Sequence, residues 1–310
     1  MTRKPDAGRV FFALIPLLVT GSAAQATLAN RVFVAARTGN DGNACSSVST
    51  PCQTFAGALL QVNAGGEIIA LESGGYGPVT ITKAVNINAP AGIVAFIHPP
   101  SGDAVTISAG AADTVILRGL SLNGGTGNGV TVVTVGQLFV EHCTITGFAV
   151  AGIALSGGAL FMRDDDVRKC GTGLVVASAR AVIRDSSFVD NASHGVWAKA
   201  NGIVAATDCI AAQNGDGFRA STAIEGADAN MTLERVQAVG NGTGIVATID
   251  STLLTGIGVV NIANSVITQN TTGITWFGNT SAVYGTSPGT NLVYANSNNG
   301  TAPISNIDLK

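Results

Sequence analysis

The chain has 310 residues, of which 46% are hydrophobic and only 11% charged, and its formal net charge is −3. So apolar a composition excludes intrinsic disorder, and the lack of a basic excess argues against a nucleic-acid partner, whose phosphates need a cationic patch. Glycine is frequent, at 40 residues, while aromatics make up 5%, which suits a strand-rich fold with many tight corners.

Residues 1–26 read as a secretory signal peptide. Arg3, Lys4 and Arg9 precede an apolar run over residues 10–19, and Ala24, Gln25 and Ala26 supply a small-x-small cleavage site. The run is too short to span a bilayer, and no later segment has the length and apolarity of a membrane helix. The expected mature protein is therefore secreted or periplasmic, without a membrane span. It is also more acidic, because the leader removes three basic residues and one acidic one.

The next unit, residues 27–65, opens with an alternating strand over residues 31–36 carrying Val32 and Val34. Cys45 and Cys52 follow in a loop rich in Gly, Asn and Ser. In an oxidising compartment their separation of seven predicts a local disulfide. A helix is predicted over residues 54–61, with Thr54 as its cap and Phe55, Ala58, Leu59 and Val62 on one apolar side. Its expected task is to cover the open end of the domain that follows.

That domain, residues 66–277, is a repeat. Strand-like stretches at residues 66–70, 78–87, 93–98, 104–107 and 114–117 lead into a phrase that begins at Gly129, Gly152, Gly173, Gly195, Gly217, Gly244 and Gly273, with gaps of 23, 21, 22, 22, 27 and 29 residues. A unit this short cannot bury its own apolar side and must stack on its neighbours. In the strand after each Gly, the first residues (Val130, Ile153, Leu174, Val196, Phe218, Ile245, Ile274) and the third (Val132, Leu155, Val176, Ala198, Ala220, Ala247, Trp276) alternate with period two, so both sets are expected to form internal columns. A second strand group recurs later in each coil, at residues 138–140, 159–162, 181–183, 203–205, 231–233 and 259–262. Asn191, Asn214, Asn241 and Asn270 precede the next Gly by three or four residues. There they are expected to take the left-handed conformation and to bond from coil to coil. Nine or ten coils at about 4.8 Å each make a rod of roughly 45 Å. Extra residues near 223–230 and 251–256 are expected to emerge as loops on one face. Residues 278–310 read as a degenerate last coil and a tail. Cys143 and Cys209 share one phase three coils apart, out of disulfide reach. With Cys170, which takes the Asn position in its coil, they read as buried filler.

The second and fourth residues of each strand after Gly point outward, and most are small. The middle coils differ: Trp197, Lys199 and Arg219 converge, with His194 and Asp216 on the adjoining turn. An indole beside two cations suits an acidic sugar; the same residues also fit an ordinary solvated sheet surface. A second cluster, Asp164, Asp165 and Asp166 with Arg163, Arg168 and Lys169, is compatible with a cation site. However, Asp164, Asp185 and Asp208 fall in one column, as turn residues would. No His pairs in register with a nucleophile, and no Gly-rich segment has the context of a phosphate loop.

Residues 32–42 (Val-Phe-Val-Ala-Ala-Arg-Thr-Gly-Asn-Asp-Gly), residues 51–59 (Pro-Cys-Gln-Thr-Phe-Ala-Gly-Ala-Leu) and the later Gly and Asn-x-x-Gly coils resemble the pectate-lyase-like superfamily of right-handed parallel β-helices. The resemblance implies a single all-β right-handed parallel β-helix with a short N-terminal capping helix. Lyases of that superfamily use carboxylate-bound Ca²⁺ and an Arg or Lys base, a role that would fall on Lys199 or Arg219. The hydrolase signatures are incomplete, since His194-Gly195 lacks the preceding Gly. The expectation is therefore a non-catalytic exported module that binds a polysaccharide or cell-surface partner, with no cofactor. Its rivals are a lyase or hydrolase of an acidic polysaccharide, for which alone Ca²⁺ would be needed, and an adhesin spacer.

Overall fold

The computed structural model describes residues 1, 28–249, 255–277, 281–285, 290–300 and 305–306. Apart from residue 1, the predicted leader lies outside them, as do parts of the predicted tail. The chain winds as a parallel β-solenoid with three faces. In one coil Gln137–Glu141 lies on the first face, Thr144–Phe148 on the second and Ala151–Leu155 on the third. Each strand pairs in parallel with its equivalents one coil away, giving sheets of twelve, ten and ten strands.

The register follows the Gly phrase. Val130, Ile153, Leu174, Val196, Phe218, Ile245 and Ile274 pair in succession along the third face, and all are buried. The second internal column holds from Val132 to Ala247 and fails at its end, where Trp276 is 37% exposed. The described part of the next strand, Asn298–Gly300, stops opposite Ile274 and covers nothing beyond it. The short second face, with strands such as Asp166–Arg168 and Ser187–Val189, has no counterpart in the two strand groups read from the sequence. Three residues between two bends are too few to show a period.

The corner between the second and third faces explains the pairing of Asn with Gly. The left-handed residue is the one before each Asn (Asp190, Gln213, Gly240, Gln269 and Ala295), a correction of one position to the sequence reading. This turns the Asn inward. Asn214 Oδ1 accepts from the backbone N–H of Asn191 at 2.9 Å and from its Nδ2 at 3.0 Å. Asn241, Asn270 and Asn296 each repeat this toward the coil before. Each Nδ2 also donates to a carbonyl of the preceding coil, Phe188 for Asn214 and Ala211 for Asn241. The Gly column is required by this ladder: a Cβ on Gly195, Gly217 or Gly244 would lie 2.6 Å from the carbonyl oxygen of the next Gly and also against an Asn amide. Cys170, the irregular member, gives its N–H to Asn191 Oδ1 at 3.0 Å.

At the corner between the first and second faces His142, Asp164, Asp185, Asp208, Arg235 and Asn264 take the left-handed position. The residue after each points inward: Cys143, Asp165, Ser186, Cys209, Val236 and Ser265 are all buried. The three consecutive Asp side chains therefore diverge. Asp164 is exposed, Asp165 is 2% exposed, and Asp166 pairs with Arg168 at 2.9 Å. Asp165 accepts from the N–H groups of Cys143 and Arg163 at 2.8 and 3.0 Å. Burial pushes its carboxyl up to about 8, against the opposing pull of those two bonds. Cys143, Cys170 and Cys209 are free and buried, and burial raises each thiol.

At the amino end, Ala29–Val34 is the outermost strand of the first face. Its other edge is taken up by the loop, where Phe33 N–H donates to Cys45 O and Cys52 N–H to Phe33 O. Cys45 and Cys52 form the predicted disulfide. Helix Phe55–Gln61 is capped by Thr54, whose hydroxyl accepts from Gly57 N–H at 2.9 Å. The Asp41 carboxylate accepts from the N–H groups of Gln53 and Thr54 and from the Thr54 hydroxyl. Phe55, Ala58 and Val62 are fully buried, and Phe55 stacks on Tyr76 at 4.7 Å. Burying each large side chain of this kind contributes about 1.5–3 kcal/mol.

Candidate functional site

Strands His194–Lys199, Asp216–Thr222 and Thr243–Ile249 lie side by side on the third face. Alternation buries Val196 and Ala198 in the first strand and Phe218 and Ala220 in the second. Trp197, Lys199, Arg219 and Ser221 are thereby left on the outer surface. His194 and Asp216, read from sequence as turn residues, are the first residues of their strands and pair with each other, as Trp197 does with Arg219. The left-handed residues sit further back, at Asp190 and Gln213, so the strand begins earlier than the Gly suggests.

These side chains form one network. Asp216 Oδ2 accepts from Arg219 Nη1 at 2.8 Å and lies 3.0 Å from His194 Nδ1. Burial pushes the Asp216 carboxyl up, but the nearby His194 ring and the bonded Arg219 outweigh it and hold the group below the usual carboxylate range. Ser221 Oγ accepts from Trp197 Nε1 at 2.7 Å and from Arg219 Nε at 3.0 Å, and Arg219 Nη2 reaches Thr248 Oγ1 at 3.3 Å. The indole meets the His194 ring edge-on at 4.9 Å, and the Lys199 ammonium sits 4.5 Å above the indole.

The network lines a cavity of about 570 Å³, bounded by Trp197, Lys199, Arg219, Ser221, Ile224 and Ile249 among others. Its floor is unusually closed for an outer surface: Ser221 and Thr222 are 7 and 4% exposed. The first insertion supplies the wall. Ala223 and Ile224 line the cavity. The loop is pinned through Asp228, whose N–H donates to Asn201 Oδ1 at 3.0 Å and whose Oδ1 accepts from Ile257 N–H at 3.1 Å. Thr255 bonds Glu225 from the second insertion, most of which lies outside the described residues. Sequence reasoning passed over Ser221, Thr248 and Ile224. The first two stand in the outward columns, but nothing in a single strand marks a hydroxyl as the acceptor of two neighbours' N–H groups.

Residues 101–287 match the family described as right handed beta helix region. The chain belongs to this family. Among solved structures, the β-helix is similar to pectate lyase Pel9A, with a TM-score of 0.52 at 18% identity over 92% of this chain and 80% of that one. It is similar to the complex of XylC with xylose, with a TM-score of 0.50 at 8% identity over 80% and 70% of the two chains. It also matches the A-module of the Azotobacter vinelandii mannuronan C-5 epimerase AlgE6, with a TM-score of 0.42 at 13% identity over 77% and 91%. No curated protein sequence matches the chain. At these identities the likeness establishes a right-handed parallel β-helix and carries no activity with it.

The calcium that a lyase reading would require needs several oxygen donors around one point. The network beside this cavity offers it a single carboxylate, Asp216, already paired with Arg219. Among the described residues no three of His, Cys, Asp and Glu form a metal-holding group. The donor set of this cavity does not fit calcium.

Proposed function

We propose that the third-face cavity binds an acidic saccharide and that the chain is an exported, non-catalytic glycan-binding β-helix. One observation carries this reading: a fixed indole and a lysine ammonium line a cavity whose floor, Ser221 and Thr222, is buried beside the insertion. An aromatic face and a nearby cation are what a carboxylated sugar ring requires. The likeness in fold to a pectate lyase and to a protein solved with xylose is consistent with a glycan. The Cys45–Cys52 disulfide favours an oxidising compartment, secreted or periplasmic. In this reading residues 27–65 close one end of the rod, residues 66–277 form it and residues 278–310 close the other. Calorimetric titration with polygalacturonate and alginate tests the reading: saturable binding is expected, weakened on the order of tenfold by Trp197→Ala. Absence of binding, or indifference to that substitution, would sink it.

The His194–Asp216 pair favours a second reading, because an imidazole 3.0 Å from a carboxylate beside a cationic cavity can move a proton. In that case the same polymers would be cleaved, with new unsaturated or reducing ends, and His194→Ala would abolish turnover while retaining binding.

A further inference from the structure

The geometry points to Lys199 as a charge-selective cover on the indole, a residue that admits acidic sugars and turns neutral ones away. This inference rests on the glycan-binding reading of the cavity. The two cations there are not equivalent. Arg219 is committed: three of its N–H groups bond Asp216, Ser221 and Thr248, and Asp216 compensates its charge. Among the described residues Lys199 has no carboxylate partner and no acidic side chain lines the cavity. Its ammonium rests over the Trp197 ring instead.

The indole itself cannot swing away. Its Nε1 is held by Ser221 and the His194 ring abuts it edge-on. Of the groups that touch it, Lys199 has the least to hold it, since a partly exposed ammonium on an aromatic face gains little. A neutral sugar that stacks on Trp197 must displace that ammonium and gives it nothing in return. An acidic sugar draws the ammonium onto its own carboxylate and takes the vacated face. Lys199 thus opposes one class of ligand and assists the other, so its removal should change the two affinities in opposite directions. A lysine serving merely as part of the wall would change both in the same direction.

The test compares a galacturonate trisaccharide with its methyl ester, which keeps the ring skeleton and loses the charge. Binding is followed by calorimetry and by emission in a Trp276→Phe background, where Trp197 is the sole indole of the two in the chain. The unaltered cavity should prefer the acid by about tenfold, and Lys199→Met should weaken the acid by a similar factor. The same change should strengthen the ester by about two- to fivefold, the worth of a displaced cation–π contact. Lys199→Arg should keep the preference for the acid. If Lys199→Met leaves the acid-to-ester ratio unchanged while Trp197→Ala still weakens binding, the covering role is wrong and the binding site stands. If neither trisaccharide binds the unaltered cavity, both readings fail.

Discussion

The two corners that flank the second face meet one requirement with different chemistry. At each, an inward residue presents a backbone N–H that no strand pairs, and an unpaired buried donor costs about 1–3 kcal/mol. At the corner toward the third face, an Asn of the next coil accepts that N–H five times running. At the corner toward the first face the acceptor changes with the coil. It is the Asp165 carboxyl for Cys143, the Ser186 hydroxyl for Asp165, the Ser265 hydroxyl for Val236 and the Asn291 amide for Ser265. Each Asn amide accepts from the amide of the coil before and donates to that of the coil after, so it propagates as a ladder. The hydroxyls turn their protons back to a carbonyl two residues earlier, Arg184 for Ser186 and Ala263 for Ser265. A continuous ladder therefore demands one residue type, whereas isolated acceptors tolerate several.

The largest effect should follow from cutting the ladder in its middle. Asn241→Ala leaves the N–H and the amide of Asn214 without their acceptor, removes the side-chain donor to Ala211 O and opens a cavity beside a residue that is 2% exposed. A loss of about 3–5 kcal/mol is expected in urea unfolding at neutral pH. A loss below about 1 kcal/mol would mean that the coils do not depend on the ladder. Asn296→Ala, at a more open coil, should cost clearly less and grade the comparison along the rod.

The contrast between corners also marks what the sequence could disclose. The ladder was legible because one residue type recurs at one phase, and the internal columns because Val, Ile and Leu recur beside Gly. The left-handed positions were misplaced by one residue, because Asp190, Gln213, Gly240 and Gln269 share no chemistry and only their backbone is alike. The varied corner was legible in part, since Asp164, Asp185 and Asp208 read as one column of turn residues and are left-handed, but the inward residue after each differs from coil to coil. Period two set Asp165 on the opposite face from Asp164 and Asp166, but nothing in that charged stretch marked it as buried. At the candidate site the sequence grouped Trp197, Lys199, Arg219, His194 and Asp216 by their phase. It could not show that Lys199 rests on the indole while Arg219 is tied to Asp216, since both depend on rotamers. Nor could it show that residues 223–224 fold over the sheet, because an insertion's length does not give its direction.

A smaller effect, visible only with pH, separates the acid from the amide. The folded carboxyl of Asp165 lies at about 8 and its ordinary value is near 4, so the folded state binds the proton more tightly. Its contribution is thus fully present below about pH 4 and is lost as pH rises toward and through about 8. Unfolding free energy should fall by on the order of 2–4 kcal/mol between pH 5 and pH 8 through this group. Asp165→Asn forfeits the bond from Arg163 N–H, because an amide nitrogen cannot accept, but it carries no charge to bury. The variant should be slightly less stable than the parent at pH 5, more stable at pH 8, and nearly flat between. Parallel urea midpoints at the two pH values would remove the argument.

The smallest effect tests whether the varied corner is a set of independent acceptors. Ser186→Ala removes a 3.2 Å bond to Asp165 N–H and a 2.7 Å bond to Arg184 O at a site 3% exposed. Deleting both halves of a short local link should cost about 1 kcal/mol, chiefly for the orphaned N–H. Because Asp165 contacts Cys143 and Arg163 through its side chain and Ser186 only through its backbone, the pH dependence between 5 and 8 should survive the change. In a double variant with Asp165→Asn the two losses should add within about 0.5 kcal/mol. Strong non-additivity in urea unfolding would mean that this corner, like the other, behaves as one connected ladder, and that the distinction between a propagating amide and isolated acceptors is wrong.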